Sequence, residues 1–207
     1  MDRARFVLGV LLIVGVPPAI LFWLLIHPLV GFWRKMGPAV AFTIVGGVCV
    51  GVGFGIYRFR GGILGPDLGT NWILILLGTI LYAVSAWISV ITKRQLKLGT
   101  FAGLQELSQA DSGGVLLQEG IYGVIRHPRY LSVIIGTAGF SMFVNYVGAY
   151  LIVLGSIPAL YLVTIVEERE LALRFGPDYE RYRSRVPAVF PRIWKRSEIP
   201  PERESGT

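Results

Sequence analysis

Cysteine and charged residues are both scarce in this chain of 207 residues. The single cysteine, Cys49, lies in an apolar run and has no second cysteine with which to form an internal disulfide. Charged residues make up 16% of the chain, whereas about 25% is usual for a soluble domain. So few charged side chains cannot cover a soluble globule of this size, and we expect lipid to face much of the surface.

Apolar residues are abundant instead, at 53% of the chain, and the formal net charge is +7. The basic residues stand between and after the apolar segments, which is typical of the cytoplasmic flanks of membrane spans. Nucleic-acid binding would need a basic patch on a soluble fold. We therefore predict that the bilayer is a partner of this chain and that nucleic acid is not.

Five apolar segments are candidates for membrane crossing, because a transmembrane helix needs about 20 mostly apolar residues. They are Phe6–Ile26, Val40–Tyr57, Trp72–Thr92, Leu131–Val144 and Val147–Val166. The first exceeds the apolar core of a signal peptide, which is about 7–15 residues, and we expect it to be retained. The fourth is short, so four crossings remain an alternative to five.

The predicted fold is therefore all-α, an integral membrane helical bundle with a cytosolic helical tail. The last two spans should form a hairpin that turns near Asn145. The second of them should continue as a helix into the cytosol and stop at Gly176, after which Pro177 can open a short second helix. Gly47, Gly51 and Gly55 recur at four-residue intervals in the second span, a pattern that lets another helix approach closely. We expect that neighbouring helix to belong to the same chain.

The distribution of Lys and Arg predicts the orientation of the bundle. The segment 93–130 and the C-terminal tail are the most basic polar segments, and we place both in the cytoplasm, with the N-terminus outside. We divide the chain into a three-span membrane region at 1–92, a core that carries the chemistry at 93–195, and a disordered tail at 196–207. The predicted location is the inner membrane, and the oligomeric state stays open.

Ionisable and aromatic residues cluster just before the fourth span and just after the fifth. Because a helical hairpin returns to the face where it started, its two ends lie within one helix-packing distance of about 8–10 Å. We therefore expect Arg126, His127 and Tyr130 to face Glu167 and Glu168. This juxtaposition is the central geometric prediction from the sequence.

Such a cluster suits a cationic ligand that also carries an aromatic ring and a carboxylate. Carboxylates neutralise a cation, tyrosine rings attract an onium group, and arginine binds a carboxylate through two parallel hydrogen bonds. Taken singly, most of these residues have structural explanations as membrane anchors or as the solvated start of a helix. His127, in a His-Pro pair between arginine and tyrosine, is an unusual anchor, whereas His27-Pro28 lacks such neighbours and is interpreted as structural.

Two motifs together resemble the isoprenylcysteine carboxyl methyltransferase and phospholipid methyltransferase superfamily. They read Gly120-x-Tyr122-x-x-x-Arg126-His127-Pro128-x-Tyr130 and Glu167-Glu168-x-x-Leu171-x-x-x-Phe175-Gly176-x-x-Tyr179-x-x-Tyr182. The resemblance covers residues 93–194, about half of the chain. The family often has proline after the first glycine, where this chain has Ile121.

The resemblance implies an S-adenosylmethionine pocket at the cytosolic ends of the last helices. We assign cofactor binding to Tyr122, His127, Pro128, Tyr130, Glu167, Tyr179 and Tyr182, and catalysis to Arg126 and Glu168. Arg126 would align a carboxylate acceptor, and Glu168 would take the proton of an amine acceptor. A prenylated or isoprenylcysteine-type carboxylate and a phospholipid amine both remain open as acceptors, with O-methylation preferred, and no metal site is assigned.

Two other functions compete with methyl transfer. An NADPH-dependent reductase of membrane lipids or sterols has a related core, but its cofactor phosphates favour more Lys and Arg and fewer carboxylates than this cluster contains. A non-catalytic membrane assembly factor would bind no cofactor. A transporter is disfavoured, because no ionisable residue lies deep in a span and no inverted repeat is visible.

Overall fold

A computed structural model describes residues 2–95 and 116–191 of the chain. Within these two ranges the structure is helical, and the extended backbone pairs only at an isolated bridge between Asp67 and Tyr146. The helices are α1 (Asp2–Ile26), α2 (Val30–Met36), α3 (Pro38–Arg58), α4 (Arg60–Leu64), α5 (Trp72–Gln95), α6 (Pro128–Val144), α7 (Val147–Phe175) and α8 (Pro177–Arg185). The all-α prediction is confirmed. The predicted disordered tail lies outside the described residues, and the division into domains stays a prediction.

Four helices, α1, α3, α5 and α7, are long and apolar enough to cross a membrane. Helix α6 has 17 residues, which at 1.5 Å per residue gives about 26 Å, slightly less than the hydrocarbon core of about 30 Å. Its two ends nevertheless lie at opposite ends of the bundle. The carbonyl of Val144 accepts a hydrogen bond from Arg5 at the start of α1, whereas His127 contacts Glu168 near the end of α7. Helix α6 therefore spans the same layer as a fifth helix.

The bundle has two polar faces, because consecutive long helices run in opposite directions. We call the face with the ends of α1 and α7 the site face, where His27 Nδ1 lies 3.5 Å from Glu170 Oε2. We call the opposite face the far face, where Asn145 Nδ2 donates to the carbonyl of Gly69 at 2.8 Å. The N-terminus and the site therefore lie on opposite faces, as an odd number of crossings requires.

Both ends of the last hairpin follow the predictions. Asn145 adopts the left-handed conformation (φ 55°) and its N–H donates to the carbonyl of Ser141 at 2.9 Å. Asparagine tolerates this conformation better than other residues with a side chain, so it closes α6 and turns the chain into α7. Helix α7 continues past the apolar segment to Phe175, ends at Gly176 (φ 54°), and is followed by α8, which starts at Pro177.

Helices α5 and α6 approach each other through small residues. A Cβ atom added to Gly78 would lie 2.4 Å from the carbonyl oxygen of Gly139, and one added to Gly136 would lie 2.5 Å from Ser85 Oγ. Ser85 Oγ also donates to the carbonyl of Ser132 at 2.7 Å. In lipid, close packing and interhelical hydrogen bonds replace the hydrophobic effect as the force between helices. This contact therefore holds the start of α6 in place.

The expectation for the glycine stripe in α3 was wrong. Nothing in the described ranges lies within 4 Å of a Cβ added to Gly47, Gly51 or Gly55. Gly53 packs on α1 instead, with Val14 Cγ1 3.6 Å from its added Cβ. The sequence allows either the side of α3 with Gly47, Gly51 and Gly55 or the side with Gly53 to contact α1. The spacing of the glycines does not determine how the helix is rotated about its axis.

Candidate active site

The Arg-His-Pro turn is fixed by the chain that follows α8. His127 precedes α6 as its N-cap, and Pro128 occupies the first turn, where a missing N–H costs nothing. The backbone N–H groups of Arg126 and His127 donate to the carbonyls of Pro187 and Ala188 at 2.9 and 2.8 Å. We call the segment 186–188 the tail strap. It orients two consecutive side chains of the turn toward α7.

The predicted approach of the two hairpin ends is observed. His127 Nε2 lies 3.2 Å from Glu168 Oε1, and His127 Nδ1 lies 3.5 Å from Glu167 Oε2. The hydroxyl of Tyr130 donates to Glu167 Oε2 at 2.6 Å, and its ring stacks on the imidazole with centroids 5.6 Å apart. The histidine ring therefore lies between two consecutive carboxylates.

Two arginines complete the surroundings of Glu168. The guanidinium of Arg126 donates to Glu168 Oε1 through Nε, at 3.0 Å, and through Nη2. Its Nη1 donates to the carbonyls of Arg183 and Val186, which anchors the tail strap. Arg183 Nε lies 3.4 Å from Glu168 Oε2, with half of its side chain exposed. Glu168 thus faces the cationic groups of Arg126 and Arg183 together with the imidazole of His127.

The electrostatics favour the protonated form of His127, which is 5% exposed. Burial by itself lowers the pKa of His127, because it penalises the charged form. The charges and hydrogen bonds of Glu167 and Glu168 outweigh that penalty and raise the pKa above its ordinary value. In the protonated ring both nitrogens are donors, and one faces each carboxylate.

Two of the three remaining predicted tyrosines, Tyr179 and Tyr182, are buried residues of α8, and the third, Tyr122, lies in the turn that α8 contacts. The hydroxyl of Tyr182 donates to the carbonyl of Tyr122 at 2.7 Å, which ties α8 to the 3-10 turn Gly120–Gly123. Burial raises the pKa of Tyr182 to about 12. Tyr179 is fully buried, and within the described part of the chain its hydroxyl has no hydrogen-bond partner.

The N-terminal region contributes aromatic and basic side chains to the site face that the two motifs do not include. The ring of Trp23 stacks on His27 with centroids 5.3 Å apart, and the guanidinium carbon of Arg129 lies 4.1 Å from the centroid of Trp23. Arg34 on α2 lies 3.3 Å from Glu170. The signal was available, because five crossings bring the end of the first span to the same face as the end of the fifth.

The residues at the site face fit S-adenosylmethionine in chemical type. Two carboxylates, a histidine and several tyrosine rings offer partners for a cation, hydroxyls and an aromatic base. The buried, unpartnered hydroxyl of Tyr179 can still accept or donate one hydrogen bond. In the described residues no cluster of three or more His, Cys, Asp or Glu side chains has the arrangement of a metal site.

These observations define an all-α membrane protein with a buried ionic cluster at one membrane face, which is the arrangement expected of an integral membrane methyltransferase. The family model described as phospholipid methyltransferase matches residues 73–178, just over half of the chain. The chain belongs to the phospholipid methyltransferase family. The match includes α5, α6 and α7, together with both predicted catalytic residues.

A curated relative points in the same direction. The chain is 35% identical over 89 residues to a protein from Schizosaccharomyces pombe named protein-S-isoprenylcysteine O-methyltransferase. The aligned part covers 42% of this chain and 37% of that protein, so the chain spans little more than a third of its relative. No solved structure matches the chain.

Proposed function

We propose that this chain transfers a methyl group from S-adenosylmethionine to a carboxylate of a lipid-like acceptor at the cytoplasmic surface of the inner membrane. One observation carries the proposal: the buried His127 ring lies between Glu167 and Glu168, at the open end of a helical hairpin. Membership of a methyltransferase family and the name of the curated relative support it.

Four side chains are proposed to hold the cofactor: His127, Tyr130, Glu167 and Tyr179. When bound, S-adenosylmethionine supplies a methyl carbon that its sulfonium charge has already activated. The carboxylate of Glu167 offers a counter-charge, and the ring of Tyr130, which stacks on His127, offers an aromatic face to a cation. The remaining assigned residues, Tyr122, Pro128 and Tyr182, would shape the pocket by fixing the turn and α8.

The surroundings of Glu168 favour an oxygen acceptor over an amine. Glu168 is paired with Arg126, His127 and Arg183, and a carboxylate stabilised by cationic partners is a weak base. A carboxylate acceptor needs no base, whereas an amine must lose a proton. We therefore propose that Glu168 organises the site and that the acceptor is already an anion.

Arg126 would act mainly on its neighbours. Of the five N–H groups of a guanidinium, Nε and both those of Nη1 have partners, and one of Nη2 donates to Glu168. Among the described residues the second N–H of Nη2 has no partner, so it can serve the acceptor. We propose that Arg126 keeps the tail strap over the site and directs this remaining N–H toward the reacting carboxylate.

The test combines cofactor binding with methyl transfer. Purified protein in detergent is titrated calorimetrically with S-adenosylmethionine and, separately, with NADPH. Transfer of tritiated methyl is then measured to N-acetyl-S-farnesylcysteine and to phosphatidylethanolamine. We expect binding of S-adenosylmethionine alone, label in the farnesylcysteine ester, and loss of both in His127→Ala. Binding of NADPH instead would favour a reductase, and binding of neither cofactor would favour an assembly factor.

A further inference from the structure

A groove runs along the membrane-embedded part of the bundle between α1, α5 and α6. It has a volume of about 310 Å³ and is open along one side. Leu12 and Val16 line it from α1, Ser89 from α5, and Val133 and Thr137 from α6. The walls are mostly apolar.

The groove leads toward a cation at the site face. Arg129, Val133 and Thr137 are spaced at four-residue intervals along α6, so they lie on one stripe of that helix. Val133 and Thr137 line the groove, and Arg129 stands one turn beyond Val133 toward the site. Trp23 on α1 packs in the same apolar cluster as Val16 and Val133. The groove therefore ends next to the Trp23–Arg129 contact.

Arg129 is held in a defined position at this end. Its guanidinium carbon lies 4.1 Å from the centroid of Trp23 and 5.1 Å from that of Tyr130, and Nη2 donates to the hydroxyl of Tyr130 at 3.1 Å. That hydroxyl in turn donates to Glu167. A group bound at Arg129 would thus be separated from the ionic cluster only by Tyr130.

Hydroxyl groups mark the transition from the groove to the polar face. Ser89 Oγ and Ser132 Oγ are 3.1 Å apart, and Ser132 Oγ donates to the carbonyl of Arg129 at 2.8 Å. Along one line the bundle therefore presents apolar walls, then two hydroxyls, then a guanidinium. This sequence of surfaces is complementary to a hydrocarbon chain that ends in an anionic headgroup.

We propose that the groove binds the hydrocarbon chain of a single-chain anionic amphiphile and that Arg129, supported by Trp23, binds its headgroup. The inference rests on the proposed function, because Arg129 would hold the headgroup of the acceptor at the entrance to the candidate active site, before the reacting group reaches Arg126. Arg129 is the cation at this end of the groove, so it would determine which headgroup this chain accepts. Carboxylate and phosphate share the required chemistry: a planar or tetrahedral anion that a guanidinium binds through paired hydrogen bonds.

The headgroup is tested by binding in nonionic detergent without S-adenosylmethionine. Two pairs of probes share a chain and differ in charge: N-acetyl-S-farnesylcysteine with its methyl ester, and oleoyl lysophosphatidic acid with monooleoylglycerol. For one pair or both, we expect the anion to bind about tenfold more tightly than its neutral partner, a factor typical of one charge-assisted contact. The pair of probes that shows the difference in affinity identifies whether the preferred headgroup is a carboxylate or a phosphate.

Arg129→Gln should abolish the ratio of the affinity for the anion to the affinity for its neutral partner. The affinity for the neutral partner should stay unchanged within about twofold, since only the charged contact is lost. Arg129→Lys should keep part of the ratio. The matched control is Arg34→Gln, which removes the same charge from the same face at the Glu170 contact and should keep the ratio intact. The headgroup assignment would be overturned if the wild-type protein bound the anionic and neutral probes equally well. It would also be overturned if Arg129→Gln kept the preference for the anion.

The chain-binding part is tested by filling the groove. Thr137→Phe should weaken the charged and neutral probes equally, by about fivefold or more, because the chain loses the apolar contact that it makes in the groove. Thr79→Phe is the control: Thr79 lies on the exposed side of α5 and makes the same hydroxyl bond to its own helix. Unchanged affinities in Thr137→Phe would overturn the proposal that the hydrocarbon chain binds in the groove. Because these measurements need no methyl transfer, they stand even if the proposed reaction does not occur.

Discussion

The two faces of the bundle both bury ionic groups, but they bury them in different ways. At the far face one cation, Arg5, is 2% exposed, and its Nη2 lies 2.6 Å from Asp67 Oδ2. Its Nη1 donates to the carbonyls of Gly69 and Val144. At the site face several charged groups share the same carboxylates. The contacts of Arg5 at the far face are therefore those of a structural ion pair. At the site face one carboxylate has several cationic partners, so a bound ligand could replace one of them.

The acid–base properties of the faces differ accordingly. Burial alone raises the pKa of Asp67, but the N–H of Gly69 and the guanidinium of Arg5 outweigh it and lower the pKa below its ordinary value. Asp67 and Arg5 thus stay charged at any physiological pH. Burial lowers the pKa of His127 at the site face, but Glu167 and Glu168 outweigh it and raise the pKa above its ordinary value. Because histidine is the side chain whose ordinary pKa lies closest to neutral pH, we expect the site face to respond to pH more than the Arg5–Asp67 pair does.

Removing the shared carboxylate should have the largest effect. Glu168→Gln leaves the buried groups of Arg126 and His127 without their common charged partner, a change that typically costs about 3–5 kcal/mol. We expect methyl transfer to fall at least about a hundredfold, because the catalytic arrangement depends on that ion pair. Initial rates and S-adenosylmethionine titrations measure it. Glu180→Gln is the control, since Glu180 is exposed on α8 and lies 3.7 Å from Arg183. Equal rates in both variants would contradict the assigned site.

Breaking the far face should reduce stability without touching the site. We expect Asp67→Asn to lower the free energy of unfolding by about 2 kcal/mol, since the arginine is buried but the carboxylate is partly exposed. Asp2→Asn, which removes an 83% exposed carboxylate 3.4 Å from the same arginine, should cost less than about 0.5 kcal/mol. Unfolding in sodium dodecyl sulfate gives the energies, and S-adenosylmethionine affinity should stay constant in both. If S-adenosylmethionine affinity fell together with stability, the Arg5–Asp67 pair would affect cofactor binding at the opposite face, contrary to this prediction.

The pH dependence of stability should distinguish the faces next. The raised pKa of His127 means that its stabilising effect is complete below the unfolded value of 6.5 and is lost as pH rises through the folded value. We therefore expect the melting temperature to fall as pH increases above neutrality. His127→Gln should flatten this slope, and Asp67→Asn should preserve it. A melting temperature that rises with pH in the wild type would mean that His127 is neutral in the fold.

The smallest effects separate two tyrosines of the site face. Tyr182→Phe removes the hydrogen bond to the carbonyl of Tyr122 and should cost about 1 kcal/mol. Tyr179→Phe removes a hydroxyl without a described partner, so stability should be unchanged or slightly higher. If that hydroxyl binds the cofactor, S-adenosylmethionine affinity falls in Tyr179→Phe alone. Unchanged affinity there would remove Tyr179 from the pocket.

Local signals in the sequence predicted the geometry of the last hairpin, which brings the candidate site residues together. The glycine and proline after Phe175 mark the end of α7 and the start of α8. Because the chain turns back at Asn145, the two helices of the hairpin must bring His127 close to Glu168 at their other ends. Neither inference needs the rotation of a helix about its axis. The proposed roles of Arg126, Glu168 and the assigned tyrosines stay predictions.

Other contacts depend on helix rotation and on partners far apart in sequence. Arg5 and Asp67 are separated by 62 positions, and nothing local to either residue indicates the pairing. The same holds for the cation–π contact of Trp23 with Arg129, and for the choice of Gly53 over its neighbours as the contact to α1. An apolar helix in lipid has no polar side to mark its orientation, so sequence periodicity gives little information here.

The tail strap has a consequence for biosynthesis. Arg126 and His127 obtain their backbone partners from Pro187 and Ala188, which the ribosome adds after α1, α3, α5, α6 and α7 have been made. A partly synthesised chain already inserted in the bilayer would therefore hold the Arg-His-Pro turn without these two hydrogen bonds and with a loosely oriented histidine. The reactive arrangement would form only after these five helices have been synthesised.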